Sequence, residues 1–311
     1  MKTLKHICYT SHDEVMFRNE EDMNYAFNSL CSALYKTGSL CLAEVFITTH
    51  HHGNYITSCP RELMRLHRIS YTRYFNNKYG RSGQLGEKGF FMQETDGIRH
   101  QIAALSYVLK NPVHHGISVT PFAYPYCSAN AYFRKELGKD ITQRLLTPEQ
   151  IRKVLPRRAE FDPSWKMGTD GVFLKESVIE TAMVESLFAT PQAFNFMLAR
   201  KSGEDWVKEQ DADAVPFPPV TLDTVESAIL VKDPDREGCV LDMLRNERSR
   251  YGFQEMTDLR LCEVIDRELA SRNTPRTVYQ LNRQEKADFG NELYRRYRCN
   301  PKQIRRCLVI D

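Results

Sequence analysis

The run Val45-Phe46-Ile47-Thr48-Thr49-His50-His51-His52-Gly53-Asn54 passes from apolar to imidazole-rich side chains, and the reading of the whole chain turns on it. It predicts a β-strand over Leu42 to Asn54, with the histidines at its end. Alternate side chains on a strand point to one face, so His50 and His52 project together and His51 projects away. Neutral imidazole is the commonest protein metal ligand, and two at this spacing can converge on one divalent cation. The triplet alone leaves two readings open: part of a metal site, or a polar strand end with three exposed histidines. His51, on the other face, is expected to pack or to hydrogen-bond there.

A second segment bears on that choice. Glu94 to Pro112 reads as a helix, capped by Thr95 or Asp96 and ended by Pro112. Ile98, Ile102, Leu105 and Leu109 form one apolar stripe at helical spacing. At about 100° per residue, Tyr107 lies opposite the centre of that stripe, on the side of His100, Ala104 and Asn111. Tyr107 and Asn111, four residues apart, are neighbours on that surface. Either a second surface works against this side, or the helix is buried on both faces with Tyr107 as filler.

These residues resemble those of a known family. His50-His51-His52 is similar to the His-hydrophobic-His (HUH) signature of single-tyrosine transposases. Tyr107-Val108-Leu109-Lys110-Asn111-Pro112-Val113 resembles the "YIxxNPV" segment of their REP-associated branch. Arg73-Tyr74-Phe75-Asn76 with Gly80-Arg81-Ser82-Gly83-Gln84-Leu85 looks like its "RYFN…GRxGxL" stretch, and Tyr124-Pro125-Tyr126-Cys127-Ser128 like its "YxWSS" element. Order and rough spacing agree from about residue 5 to residue 135. The chain departs from the pattern at His51, where the family usually has an apolar residue, and at Gly53, which usually is bulky.

The resemblance implies an α+β fold: a ferredoxin-like antiparallel sheet with helices on one face and the histidines on a central strand. It implies Tyr107 as nucleophile, His50 and His52 as metal ligands, and Asn111 as a third ligand through its amide oxygen. A mixed nitrogen–oxygen set suits Mg²⁺ or Mn²⁺, although two imidazoles also accept zinc. The implied partner is single-stranded or hairpin DNA, held by a monomer or a homodimer. His114 and His115 are expected as loop residues, and His100 is given no role.

Composition bounds the rest. The chain has 311 residues, enough for two structural units, and a formal charge of +3, so a nucleic-acid surface must be local. No segment resembles a signal peptide and no apolar run is long enough to span a membrane. The nine cysteines form no CxxC pair, which argues against a zinc ribbon and fits reduced thiols in a cytoplasmic, nucleoid-associated protein.

The first unit is expected over residues 1–135, with strands at His6 to Thr10 and Phe90 to Met92 and helices at Glu20 to Tyr35 and Glu62 to Tyr79. A helical connector is expected over 136–235, with an acidic, proline-rich linker at 203–223. Helices at Asp258 to Arg272, Gln284 to Arg296 and Pro301 to Val309 make a C-terminal unit over 236–311, whose last pair fits either a helix-turn-helix or a solvated basic face. Local basic charge falls in three places: Arg65, Arg68, Arg73, Arg81 and Lys88 among Tyr71, Tyr74 and Phe75; Lys110 beside Tyr107; and Lys302, Arg305 and Arg306 at the end. Cations that neutralise phosphate, interleaved with stacking aromatics, are the usual means of single-strand binding.

Overall fold

Thr48 and Thr49 reverse the chain, so the single strand expected over Leu42 to Asn54 is a hairpin in the computed structural model. β2 (Leu40–Ile47) ends before the threonines, and β3 (His50–Thr57) begins with the histidines. Neither threonine takes a positive φ. Their carbonyls are held from outside instead: Thr48 O accepts the Met16 and Phe17 N–H groups at 2.8 and 3.1 Å, and Thr49 O accepts Ser11 N–H at 2.8 Å. This external capping replaces the local glycine or asparagine that a two-residue hairpin normally uses. The structure describes residues 2–310 apart from 12–13, 116, 140, 200–255 and 273–275.

The hairpin completes a β-α-β-β-α-β unit with β1 (Thr3–Thr10), α1 (Glu20–Thr37), α2 (Pro60–Tyr79) and β4 (Phe91–Glu94). The sheet runs β2-β3-β1-β4 and is antiparallel throughout, which is the ferredoxin-like order. The histidines therefore lie on a central strand. Asn19 starts α1 by accepting Asp22 N–H at 3.0 Å, and Gly38 ends it at φ 57°, a left-handed cap that a Cβ would strain. α1 and α2 cover one face and bury Phe17, Phe27, Phe46, Tyr55 and Phe75. Burial of such a side chain is worth about 1.5–3 kcal/mol, so packing more than capping, at about 1 kcal/mol each, fixes this pair.

The expectation of helices on one face holds for α1 and α2. A further helix, α3 (Gly97–His114), lies on the other face, with Leu105, Val108 and Leu109 fully buried. Two expectations for it need correction. Ile98, assigned to the apolar stripe, is 63% exposed. Pro112 does not end the helix but sits in its last turn, where it forgoes the i→i−4 bond to Val108 O, and Ile117 N–H closes on Pro112 O at 2.9 Å.

The same core continues past residue 135, so the division expected there does not mark its end. α4 (Pro148–Val154), α5 (Lys175–Val178), α6 (Thr181–Phe188) and α7 (Pro191–Ala199) add Ile151, Val178, Val184, Phe188 and Phe194 to it. The linker expected at 203–223 and the rest of the expected connector up to 235 lie outside the described residues.

α8 (Asp258–Ala270), α9 (Arg283–Tyr297) and α10 (Pro301–Leu308) build a second, smaller core around Leu261, Ile265, Phe289, Leu293 and Ile304. Asn300 accepts Lys302 N–H at 2.9 Å and Pro301 takes the first helical position, as the Asn-Pro pair predicts. Arg18 pins this core to the first. Its buried guanidinium donates to Asp266 at 2.8 Å and to Cys307 O at 2.9 Å. Removing one partner of such a pair costs about 3–5 kcal/mol, because the remaining charge is left uncompensated. Among the described residues no helix is long and apolar enough to cross a membrane.

Candidate active site

β3 pairs with β1 so that Thr10 faces His50, Cys8 faces His52 and His6 faces Asn54. All of these side chains share the face on which α3 lies. His50 Nε2 is 3.1 Å from Asn111 Oδ1, and His50 Nδ1 is 3.1 Å from Thr49 Oγ1. The His50 and His52 rings stand nearly perpendicular, with centroids 4.9 Å apart. His52 Nδ1 lies 3.3 Å from His6 Nε2, and His52 Nε2 lies 3.6 Å from Cys8 Sγ. Burial, then the neighbouring His50 and His6, pushes His52 well below the usual histidine range, and burial pushes His6 down to about 4. Both rings are neutral at pH 7.

The helical phase of α3 brings Tyr107 to the same place as Asn111, one turn on. The Tyr107 ring meets His52 at 5.3 Å and His6 at 5.6 Å, both nearly edge-on. His114 lies 6.0 Å from Tyr107, and the His115 ring meets His50 at 4.7 Å. Both are pushed down to about 4 by burial, with Lys110 contributing at His114, and His114 and Arg306 at His115. The structure thus gathers His50, His52, Asn111 and Tyr107, the residues the sequence singles out for chemistry. It adds His6, Cys8 and Asn54, to which the sequence reading gave no role, and it moves His114 and His115 from a loop to the site. Parity along β1 puts His6 and Cys8 on one face, but only the β1–β3 register shows that this face is the one with His52.

The spacing suits a cation. Two ligands at right angles with bonds of about 2.1 Å stand roughly 3 Å apart, and His50 Nε2 and Asn111 Oδ1 are 3.1 Å apart. A divalent ion can therefore take the place of the proton they share. Asn111 Nδ2 is buried without a hydrogen-bond partner, so the oxygen is the engaged end of that amide. The His52 ring stands beside this pair, its centroid 4.9 Å from that of His50. Among the described residues no three His, Cys, Asp or Glu side chains converge on one point. The residues that could hold a cation are His50 and Asn111, with His52 next to them.

His51 faces the other way, as expected. Its Nε2 lies 3.1 Å from Tyr55 Oη, and its ring packs on Phe46 at 4.2 Å and Tyr9 at 5.1 Å. Tyr9 Oη is 2.6 Å from His67 Nε2, and Ser29 Oγ is 2.7 Å from His67 Nδ1. Tyr55 reaches His51 by crossing Gly53, where a Cβ would stand 2.1 Å from Tyr55 Oη. The two departures from the family pattern, His51 and Gly53, are therefore one buried unit on the far side of the sheet from the histidine pair.

The basic residues divide. Arg73, Lys88, Lys302 and Arg305 are exposed, as is Arg65, which pairs with Glu62 at 2.7 Å. Three others have partners within the fold. Arg81 pairs with Glu14. Arg68 donates to Gly89 O at 3.0 Å and lies over the Tyr9 ring. Arg306 holds Asp258 at 2.7 and 2.8 Å. Lys110 is buried close to His114, hence beside Tyr107.

No family model matches the chain, and no curated protein matches it. Among solved structures it is similar to a REP-associated tyrosine transposase bound to a REP hairpin, at 11% identity, with 52% of this chain and 88% of that chain covered and a TM-score of 0.37.

Proposed function

We propose that the chain is a DNA-nicking and strand-transfer enzyme of the transposase kind, acting on single-stranded or hairpin DNA. Tyr107 is its nucleophile, and His50, His52 and Asn111 would hold Mg²⁺ or Mn²⁺. One observation carries the reading: a phenol on α3 is buried against His52 at 5.3 Å, one helical turn from an amide that meets His50 at 3.1 Å.

A tyrosine phenol has a pKa of about 10, so at neutral pH it needs nearby positive charge to attack. Lys110 supplies some of that charge, and the neutral ring of His114 offers a proton-accepting nitrogen beside it. A bound divalent cation would polarise the scissile phosphate and stabilise the charge that develops on it. Tyr107 Oη forms a bond to phosphorus and loses its proton, while the bond from phosphorus to the 3′ oxygen breaks and that oxygen leaves as a hydroxyl. The 5′ phosphate is then esterified to Tyr107. The ester conserves the energy of the broken linkage, so a 3′ hydroxyl from another end can reverse the step and join the strands.

A second reading is a DNA-binding protein without catalysis, and it is favoured by the low exposure of Tyr107, 7%. Incubating labelled hairpin DNA with the protein and Mn²⁺, followed by denaturing electrophoresis, separates the two. A denaturant-resistant adduct that Tyr107→Phe abolishes is expected. Binding without cleavage would replace the enzyme with the binding protein. Cleavage without an adduct would make the chain a metal-dependent hydrolase that uses water, with Tyr107 structural.

A further inference from the structure

We infer that Asn54 and His6 are positioning residues that fix the ring tautomer of His52, leaving its Nε2 unprotonated as a donor; the use of that donor rests on the proposed role of His52 as a metal ligand. Asn54 Oδ1 lies 3.2 Å from His6 Nδ1. An amide oxygen only accepts, so His6 Nδ1 carries the proton and, in a neutral ring, Nε2 is the acceptor. His6 Nε2 lies 3.3 Å from His52 Nδ1. That nitrogen must then donate, and the lone pair of His52 falls on Nε2. The protein group facing Nε2 is Cys8 Sγ at 3.6 Å, a thiol that is only a weak donor and that a cation can displace.

Both rings are almost fully buried, at 0% and 2% exposure, so water does not compete for these bonds. The relay is set by strand register, because His6 faces Asn54 and Cys8 faces His52 across the β1–β3 ladder. Histidine ligands are oriented in this way when their second nitrogen donates to a fixed acceptor. His50 is arranged oppositely. Its Nε2 faces the acceptor Asn111 Oδ1 and carries the proton, while Nδ1 accepts from the Thr49 hydroxyl. The two histidines of the pair are thus held in opposite tautomers. His52 is ready to bind, whereas His50 must first move its proton to Nδ1, with Thr49 Oγ1 turning from donor to acceptor.

Long-range ¹H–¹⁵N spectra of the metal-free full chain, labelled with ¹⁵N-histidine at pH 7, test this directly. The expected result is a protonated Nδ1 and an unprotonated Nε2 on His52, with the reverse on His50. Asn54→Leu should let His52 populate both tautomers and weaken Mn²⁺ binding, titrated without DNA, by about 10–100-fold. A protonated Nε2 on His52 in the parental protein would overturn the inference, and so would an Asn54→Leu protein with unchanged His52 shifts and Mn²⁺ affinity. If that variant fails to fold, the parental spectrum alone decides. Failure here is separable from failure of the proposed activity: expected tautomers without a Tyr107–DNA adduct would remove the activity, and an adduct with reversed tautomers would remove the relay.

Discussion

On one face of β3, His51 and Tyr55 pack beneath α1 and α2; on the other, His50 and His52 meet α3. The first face joins imidazoles to hydroxyls: Tyr55 to His51 at 3.1 Å, Tyr9 to His67 at 2.6 Å, Ser29 to His67 at 2.7 Å. A hydroxyl rotates to suit whichever nitrogen it meets, so these bonds close a core and demand little of the ring. The second face sets ring nitrogen against ring nitrogen and against amide oxygen, at 3.1 to 3.3 Å. Each of those bonds dictates where a proton sits. Buried polar atoms without partners occur on both faces, His51 Nδ1 on the first and the amide nitrogens of Asn54 and Asn111 on the second, so it is the ring-to-ring and ring-to-amide pairing that sets the second face apart. Adjacent histidines on one strand are thereby given different work.

Substitutions on the two faces should have opposite consequences. His50→Ala and His52→Ala should each reduce nicking of hairpin DNA to background while most DNA affinity remains, because phosphate contacts elsewhere supply it. Parallel nicking and binding assays check this, and a variant that nicks at the parental rate breaks the contrast. His51→Ala should do the reverse. Nicking at low temperature stays near the parental rate, while stability to urea falls by about 2–4 kcal/mol through lost ring packing and a stranded Tyr55 hydroxyl.

Gly53→Ala sharpens the same point with less effect. Its Cβ collides with Tyr55, and the urea midpoint should drop by the equivalent of about 1–3 kcal/mol. Combined with His51→Ala the loss should fall short of the sum, since both act through Tyr55. Full additivity would contradict the shared unit.

The smallest effect is a pH slope. Burial, and then Arg68, pushes His67 down to about 3. The unfolded chain takes up that proton below about pH 6.5 and the folded chain does not. Stability therefore falls as pH drops from about 6.5 towards 3, by at most about 1.4 kcal/mol per pH unit for this residue. His67→Gln should flatten the dependence of the urea midpoint on pH by that one proton, and an unchanged slope would show that His67 is not held neutral.

Much of this was legible in the residues, and the parts that were not have physical reasons. Alternation puts His50 and His52 on one face and His51 on the other whichever strand carries them, so that assignment survived the wrong strand boundary. The boundary itself was hidden because Thr48-Thr49 lacks turn chemistry of its own and is held by the backbone of Ser11, Met16 and Phe17. The phase of α3 placed Tyr107 beside Asn111, yet periodicity does not say which side meets the sheet, and Ile98 stayed in solvent. His6 required strand adjacency, which one sequence does not contain. For Arg68, Arg81 and Arg306 a charge count omits the carbonyls and carboxylates that fold around each cation.

The decisive measurement is the mass of the tryptic peptide His100–Lys110 recovered from protein incubated with hairpin DNA and Mn²⁺. With Tyr107 as nucleophile, after nuclease trimming that peptide carries a nucleotide through its single tyrosine. A nucleotide on a peptide containing Tyr71, Tyr74 or Tyr126, or nicked DNA with every tyrosine unmodified, would contradict the account.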